Sequence, residues 1–318
     1  MDAILAKIGS IGLVPVIKLD SADKAPGLGR ALVAGGLPVA EITFRTKAAA
    51  DSIRALRAEV PGLLVGAGTV LNLAQARSAL EAGASFIVSP GFDEAVVDFC
   101  LERGLPVLPG VTGPDGIMRG LAKGLEVLKF FPAEAAGGLP LVEALAGPFP
   151  AVSFVPTGGI DAKNLGAWAR RPNVLAIGGS FMAPGALIEA EDWPGIEALC
   201  REALLALHGF SFAHVGINGS DEAECGLAVT LLSTLFGIAG REGASSVMCE
   251  GIEVTKRPFP GAHGHLAIRC NDVERAVARL EGLGVKALGE TAKTEKGRIK
   301  AVYLDRELLG FSIHLLRA

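Results

Sequence analysis

The stretch LLVGAGTVLNLAQARSALEAGASFIVSPG, Leu63 to Gly91, decides the fold. LLVGAGTV (63–70) is an aliphatic run that closes on Gly, Thr and Val. LAQARSALEAGA (73–84) places Ala, Leu, Arg and Glu at helical spacing, and FIVSPG (86–91) is a second short aliphatic run ended by Pro and Gly. The reading is strand, helix, strand. The same rhythm recurs from Gly12 to about His208, with further strands near LVPVIKL (13–19), VAEITFR (39–45), PVLPGV (106–111), VLKFFPAE (127–134), VSFVPTGG (152–159) and LAIGGSF (175–181). Eight strand–helix units in roughly 200 residues predict an α/β fold, a small (β/α)8 TIM barrel. An open doubly wound sheet is the rival. It usually has fewer strands and often carries GxGxxG after its first strand, a motif absent here.

Composition narrows the function. Half of the 318 residues are hydrophobic and a fifth are charged, enough for a large core. The net charge of −4 offers no basic field for nucleic acid or anionic lipid. No apolar run is long enough to span a bilayer, and MDAILAKIGS lacks the basic head and apolar stretch of a signal peptide. The five cysteines are widely spaced and none forms CxxC, so a reduced, cytoplasmic protein is expected.

In VLKFFPAE, Val127, Lys129 and Phe131 alternate, so in a strand they share one face. Burying a charged amine is costly unless it is paired or neutral. One reading is a Lys–Glu pair that only neutralises itself. The other is chemical: apolar surroundings favour a neutral amine, which can attack a ketone and form a Schiff base. The protonated iminium is then an electron sink for breaking an adjacent carbon–carbon bond. No histidine precedes His208 and the only tyrosine is Tyr303, so a proton shuttle in the barrel is a carboxylate, a lysine, a cysteine or water. A histidine-bound metal is disfavoured there for the same reason. Glu41, facing inward on the second strand, is the candidate acid and base. Arg45, four residues on, is placed to hold a substrate carboxylate, or alternatively to pair with Glu41 at the barrel mouth. Thr69, at the end of the third strand, adds a hydroxyl donor. PTGGI and IGGSF, closing the seventh and eighth strands, expose backbone N–H groups at turns that lead towards helices, a second anion site.

EITFRT (41–46), GAGTV (66–70), SPG (89–91), KFFPAE (129–134), GPFP (147–150), PTGGI (156–160) and GGS (178–180) occur in this order. Together they resemble the 2-keto-3-deoxy-6-phosphogluconate (KDPG) and 4-hydroxy-2-oxoglutarate (KHG) aldolase family, over about two thirds of the chain. The resemblance implies that Lys129 forms the Schiff base and Glu41 is the acid/base. It implies that Arg45 and Thr69 bind the pyruvate carboxylate, and that Thr157, Gly158, Gly159, Gly179 and Ser180 surround the distal phosphate. Lys18 falls where some relatives hold the anionic end of the substrate, and Pro90 and Phe131 line the pocket. It also implies a homotrimer and a small keto-acid substrate, with no metal or other cofactor. The expected reaction is cleavage of KDPG to pyruvate and glyceraldehyde 3-phosphate, as in the Entner–Doudoroff route. The alternatives are an aldolase preferring KHG or another anion-tailed keto acid, and a ligand sensor without turnover.

The aldolase domain is expected over 1–209 and a second domain over 210–318. There FAHVGIN (212–218), a helix at 221–237, SSVMCE (245–250) and IEVTKRP (252–258) form a βαββ-like half. GHLAIRCN (264–271), a helix at 272–285, RIKAVYLD (298–305) and GFSIHLLR (310–317) repeat it. The segment resembles the α+β vicinal-oxygen-chelate, or glyoxalase-like, domains, built from paired βαβββ halves. The expectation is a non-catalytic module that supports assembly or binds a small ligand. A metal-bearing alternative uses His214, His265 and His314 with Glu253 or Glu250, His314 standing where that resemblance implies glutamate. Such a set suits Zn²⁺, Ni²⁺ or Fe²⁺.

Overall fold

A computed structural model describes residues 2–318. The chain divides into two compact units, residues 1–207 and 208–318. None of the described helices is long and apolar enough to cross a membrane.

The first unit carries nine short parallel strands: β1 (Leu13–Ile17), β2 (Val39–Thr43), β3 (Leu64–Gly68), β4 (Ile87–Val88), β5 (Val107–Leu108), β6 (Gly110–Val111), β7 (Val127–Phe130), β8 (Ser153–Pro156) and β9 (Ile177–Gly179). One sheet has the order β5-β4-β3-β2-β1-β9 and the other β6-β7-β8. The expected fifth strand is broken at Pro109, which has no N–H for a ladder. Its carbonyl still accepts from Lys129 N at 3.0 Å, so the broken segment joins the two sheets. Bridges Phe154–Val174 and Thr157–Gly178 bring β8 against β9. The result is a TIM-barrel-like α/β unit.

Strand parity sorts its interior. Val14, Val39, Leu64, Val88, Leu108, Val127 and Val155 form one buried cluster, into which the helix Ala3–Ile11 inserts Ile8. That helix starts on Asp2, whose carboxylate accepts from Ile4 N at 2.7 Å, and stops at the left-handed Gly12. Two residues further along each strand, on the same face, stand Val16, Glu41, Gly66 and Lys129. An apolar floor therefore fills the N-terminal end of the interior, and the polar layer lies above it. A larger outer cluster, including Ile17, Ile42, Leu128 and Phe154, lies between strands and helices.

The second unit is one mixed sheet of eight strands: β10 (Ser211–Asn218), β11 (Arg241–Glu242), β12 (Ser246–Cys249), β13 (Ile252–Thr255), β14 (Gly264–Cys270), β15 (Lys293–Glu295), β16 (Arg298–Leu308) and β17 (Phe311–Arg317). Their order is β11-β12-β13-β10-β14-β17-β16-β15. Each half is a strand, a helix and three strands, with its helix (Glu222–Phe236 or Val273–Gly282) over its own small core. The very short β11 and β15 are too short to show a period in the sequence, which is why the halves read there as βαββ-like.

His208 opens this unit. It is 1% exposed, its ring stacks on Phe210 at 5.2 Å, and neither ring nitrogen has a hydrogen-bond partner. Burial first, then Arg279 and Arg275, push its pKa from 6.5 down to about 3. A base that is harder to protonate when folded gives stability that is complete above its unfolded pKa and is lost as pH falls from 6.5 towards 3. His208→Phe is expected to melt no lower than the parent at about pH 7.5 and to lose less Tm on going to about pH 5. Equal losses in the two proteins contradict this.

Candidate active site in the barrel and ligand cluster in the second unit

Lys129 on β7 and Glu41 on β2 are 4% and 3% exposed, and Lys129 Nζ donates to Glu41 Oε1 at 3.3 Å. Register places them: Glu41 is level with Val16 and Gly66, and Lys129 with Gly110 and Val155. Gly68 gives the carboxylate its space, since a Cβ there would stand 2.1 Å from Glu41 Oε1. The amine also lies 5.4 Å from the centre of the Phe131 ring.

Arg45 and Thr69 differ from the sequence reading in one respect. β2 ends at Thr43 and β3 at Gly68, so both residues sit just past their strands. Arg45 does not pair with Glu41. It is exposed, and its Nε donates to Thr43 Oγ1 at 3.2 Å, while Thr43 Oγ1 donates to Ile17 O at 2.9 Å. Thr69 has φ 53°, a left-handed conformation costly for a β-branched residue and concentrated at functional sites. Lys18 also lies past its strand, exposed and paired with Asp20 at 2.8 Å. Pro90 and Phe131 meet in a cavity of about 400 Å³, with Gly110, Val111, Asp115 and Arg119. A larger cavity of about 460 Å³ opens at the opposite end, beside Leu5, Pro106 and Val127. It includes no lysine and lies away from the amine.

The bridge between Thr157 and Gly178 brings the two glycine turns together. Thr157 is 7% exposed and its hydroxyl has no partner. Gly158, Gly159, Gly179 and Ser180 follow on either side of that bridge. The helices beyond begin only at Leu165 and Gly185, so the groups at the turns are the turns' own N–H donors.

Sequence reasoning gave no role to Glu134, the last residue of the expected strand VLKFFPAE; β7 stops at Phe130, and Glu134 lies past it. Its Oε1 accepts from Trp168 Nε1 at 2.8 Å and from Asn164 Nδ2 at 3.0 Å. Asn164 Nδ2 also reaches Gly159 O at 3.1 Å, and Glu134 N donates to Gly158 O at 3.1 Å. Gly159 has φ 80°, and a Cβ on it would meet Glu134 Cβ at 2.7 Å. One side chain thus ties the end of the lysine strand to the glycine turn. The cysteines drop out as proton shuttles: Cys100 and Cys200 lie in helices, and burial pushes their thiols up to about 11 and about 12.

The family model for KDPG and KHG aldolase matches residues 4–199. The chain belongs to the KDPG and KHG aldolase family. A 2-dehydro-3-deoxy-phosphogluconate aldolase of Treponema pallidum (strain Nichols) is 46% identical over 204 residues, 64% of this chain and 97% of the relative. The solved KDPG aldolase of Legionella pneumophila, with pyruvate captured at low pH as a covalent carbinolamine intermediate, has TM-score 0.61 and 38% identity. It covers 63% of this chain, and 97% of that chain is covered. The KDPG aldolase of Zymomonas mobilis ZM4, with 3-phosphoglycerate, has TM-score 0.60 and 39% identity, over 63% of this chain and 94% of that one. The second unit lies outside the family match.

In that unit His214 (β10), His265 (β14) and His314 (β17) bring ring nitrogens within 4.8 Å of one another. His214 Nε2 is 3.2 Å from His265 Nε2, and Glu253 Oε2 lies 3.0 and 3.1 Å from them. Glu250 is in the turn before β13 and takes no part. Contacts from His214 and His265 hold the Glu253 carboxyl well below its ordinary range. Burial pushes His314 down to about 3, with His265 and His214 adding to it, and pushes Tyr303 up to about 12. Tyr303 Oη is 3.2 Å from His265 Nδ1. The cluster lines a cavity of about 180 Å³.

Glu134→Ala strips the buried Trp168 N–H of its acceptor. It should cost about 1–3 kcal/mol of stability. It should also raise KM for a phosphorylated substrate by about tenfold or more, with kcat little changed and Glu134→Gln restoring most of the loss. Melting curves and steady-state kinetics check this; an unchanged KM contradicts the tie.

Proposed function

We propose that the first unit is a class I aldolase cleaving KDPG to pyruvate and glyceraldehyde 3-phosphate, with Lys129 as the Schiff-base residue. The observation that carries the reading is the buried Lys129–Glu41 contact in the polar layer of the barrel. Lys129 Nζ attacks the C2 ketone, and the carbinolamine loses water with a proton supplied by Glu41, leaving the iminium. Glu41, directly or through water, takes the C4 hydroxyl proton. The C3–C4 electron pair moves into the iminium to give the enamine, and the aldehyde leaves. Protonation at C3 and hydrolysis release pyruvate and restore the amine. The sink is the iminium, so this route asks for no Lewis acid. Arg45 and Thr69 are assigned to the substrate carboxylate. Thr157, Gly158, Gly159, Gly179 and Ser180 are assigned to the distal phosphate, with Lys18 near it once released from Asp20.

The unpartnered Thr157 hydroxyl and the paired glycine turns favour the phosphorylated substrate over KHG. Pyruvate release from KDPG is expected to exceed that from KHG by about 100-fold or more in kcat/KM, because donors built for phosphate are otherwise left unpaired. Equal kcat/KM values favour the KHG reading, and no release from either substrate favours a sensor.

For the second unit the reading is a vicinal-oxygen-chelate-type domain that holds a divalent first-row metal through His214, Glu253, His265 and His314. The His314 Nε2 atom is buried without a partner, as an unused ligand atom would be. Ligand atoms about 2.0–2.1 Å from a tetrahedral metal stand about 3.3 Å apart, close to the separations of His214, His265 and Glu253. Such a metal supplies Lewis acidity when bound. Tyr303 would hold the His265 ring in orientation. The full chain supplied with zinc and then desalted is expected to retain one equivalent, lost in His265→Ala. Zinc at trace levels favours the metal-free module.

A further inference from the structure

The internal repeat of the second unit exposes an asymmetry. Glu253 stands level with Gly216, two residues after His214, and His314 stands level with Ala267, two residues after His265. His314 is therefore the repeat's counterpart of Glu253, an imidazole where the other half has a carboxylate. Bound to a metal, the histidines are neutral. A divalent cation on three imidazoles and one carboxylate keeps one positive charge uncompensated.

The cavity wall adds to that charge. Lys293, on β15, lines the cavity and pairs with no carboxylate among the described residues, whereas Lys300, also in the lining, is 3.2 Å from Glu295. The Phe259 ring at the wall lies 5.7 Å from Lys293 Nζ and 5.5 Å from Arg257 Cζ. Thr255 and Thr291 also line the cavity, but their hydroxyls donate to the carbonyls of Ile217 and Leu288 at 3.3 and 2.6 Å, which leaves Lys293 as the lining's free polar group at this wall. A neutral or cationic ligand would leave this charge unanswered.

We propose that the cavity binds a small carboxylate anion, one end adding a fifth ligand to the metal centre at His214, Glu253, His265 and His314 and the carboxylate facing Lys293. The proposal rests on the metal-binding reading of the same cluster. Its volume of about 180 Å³ limits the anion to a few carbon atoms. The ammonium of Lys293 supplies one charge-assisted hydrogen bond.

The test uses the full chain with Co²⁺ as the probe metal and glycolate as the probe anion. Glycolate has no ketone or aldehyde and cannot form a Schiff base with Lys129, and any binding in the barrel leaves the Co²⁺ band unmoved. One equivalent of Co²⁺ is expected to give a visible d–d band, which glycolate shifts saturably. Lys293→Met should weaken glycolate by about tenfold or more while Co²⁺ affinity stays within about twofold, and Lys300→Met should leave both within about twofold. A Co²⁺ band that glycolate does not shift overturns the proposal, as does a Lys293→Met protein that binds glycolate like the parent. No Co²⁺ band at all overturns the metal reading beneath it.

Discussion

An amine and a carboxylate 3.3 Å apart in an apolar barrel are the constraint to which the rest of the first unit answers. Removing two such groups from water is expensive, and apolar residues of similar volume often stabilise a fold as well or better. The surroundings accommodate the pair instead of replacing it. Ile8 and a ring of aliphatic side chains fill the floor beneath it. Gly68 leaves space for the carboxylate, and the carbonyl of Pro109 holds the lysine's backbone. An amine held this way stands on a strand, 5.4 Å from the ring of Phe131, which lines the cavity shared with Pro90. The contact thus links strand parity to the chemistry.

Much of this was legible in the sequence. Two residues separate Val39 from Glu41 and Val127 from Lys129, and period two alone puts each pair on one face. The TIM-barrel-like arrangement followed from repeated strand–helix punctuation, and the polar layer from residues that break an aliphatic run. What was not legible depends on the exact end of a strand. Arg45, Thr69 and Lys18 were read within their strands, but each lies just beyond, where direction is set by loop conformation and not by parity. The ties from Glu134 to Asn164 and Trp168 run from the turn after β7 to the short helix Leu165–Ala169 and the residue before it, and leave no periodic trace. Pro109 was visible, but its effect, one strand shared between two sheets, is a property of the closed arrangement.

The second unit shows the same division. The two halves were readable from their repeated order, and the three clustered histidines fell on strands. Glu253 could not be told from Glu250, because the choice depends on where β13 begins. Tyr303 was unique in the chain yet unmarked, and its place beside His265 comes from the register between β16 and β17. Duplication makes the difference between Glu253 and His314 meaningful: equivalent positions carry opposite tendencies toward charge, and that difference sets what the cavity can accept.

The central claim is that Lys129 is a nucleophile and not half of an inert pair. Intact-mass and peptide-mapping analysis after treatment with pyruvate and borohydride tests it most directly. One reduced pyruvate per chain, located on Lys129 and dependent on added pyruvate, is the expected result. An unmodified chain, or an adduct confined to surface lysines, contradicts it.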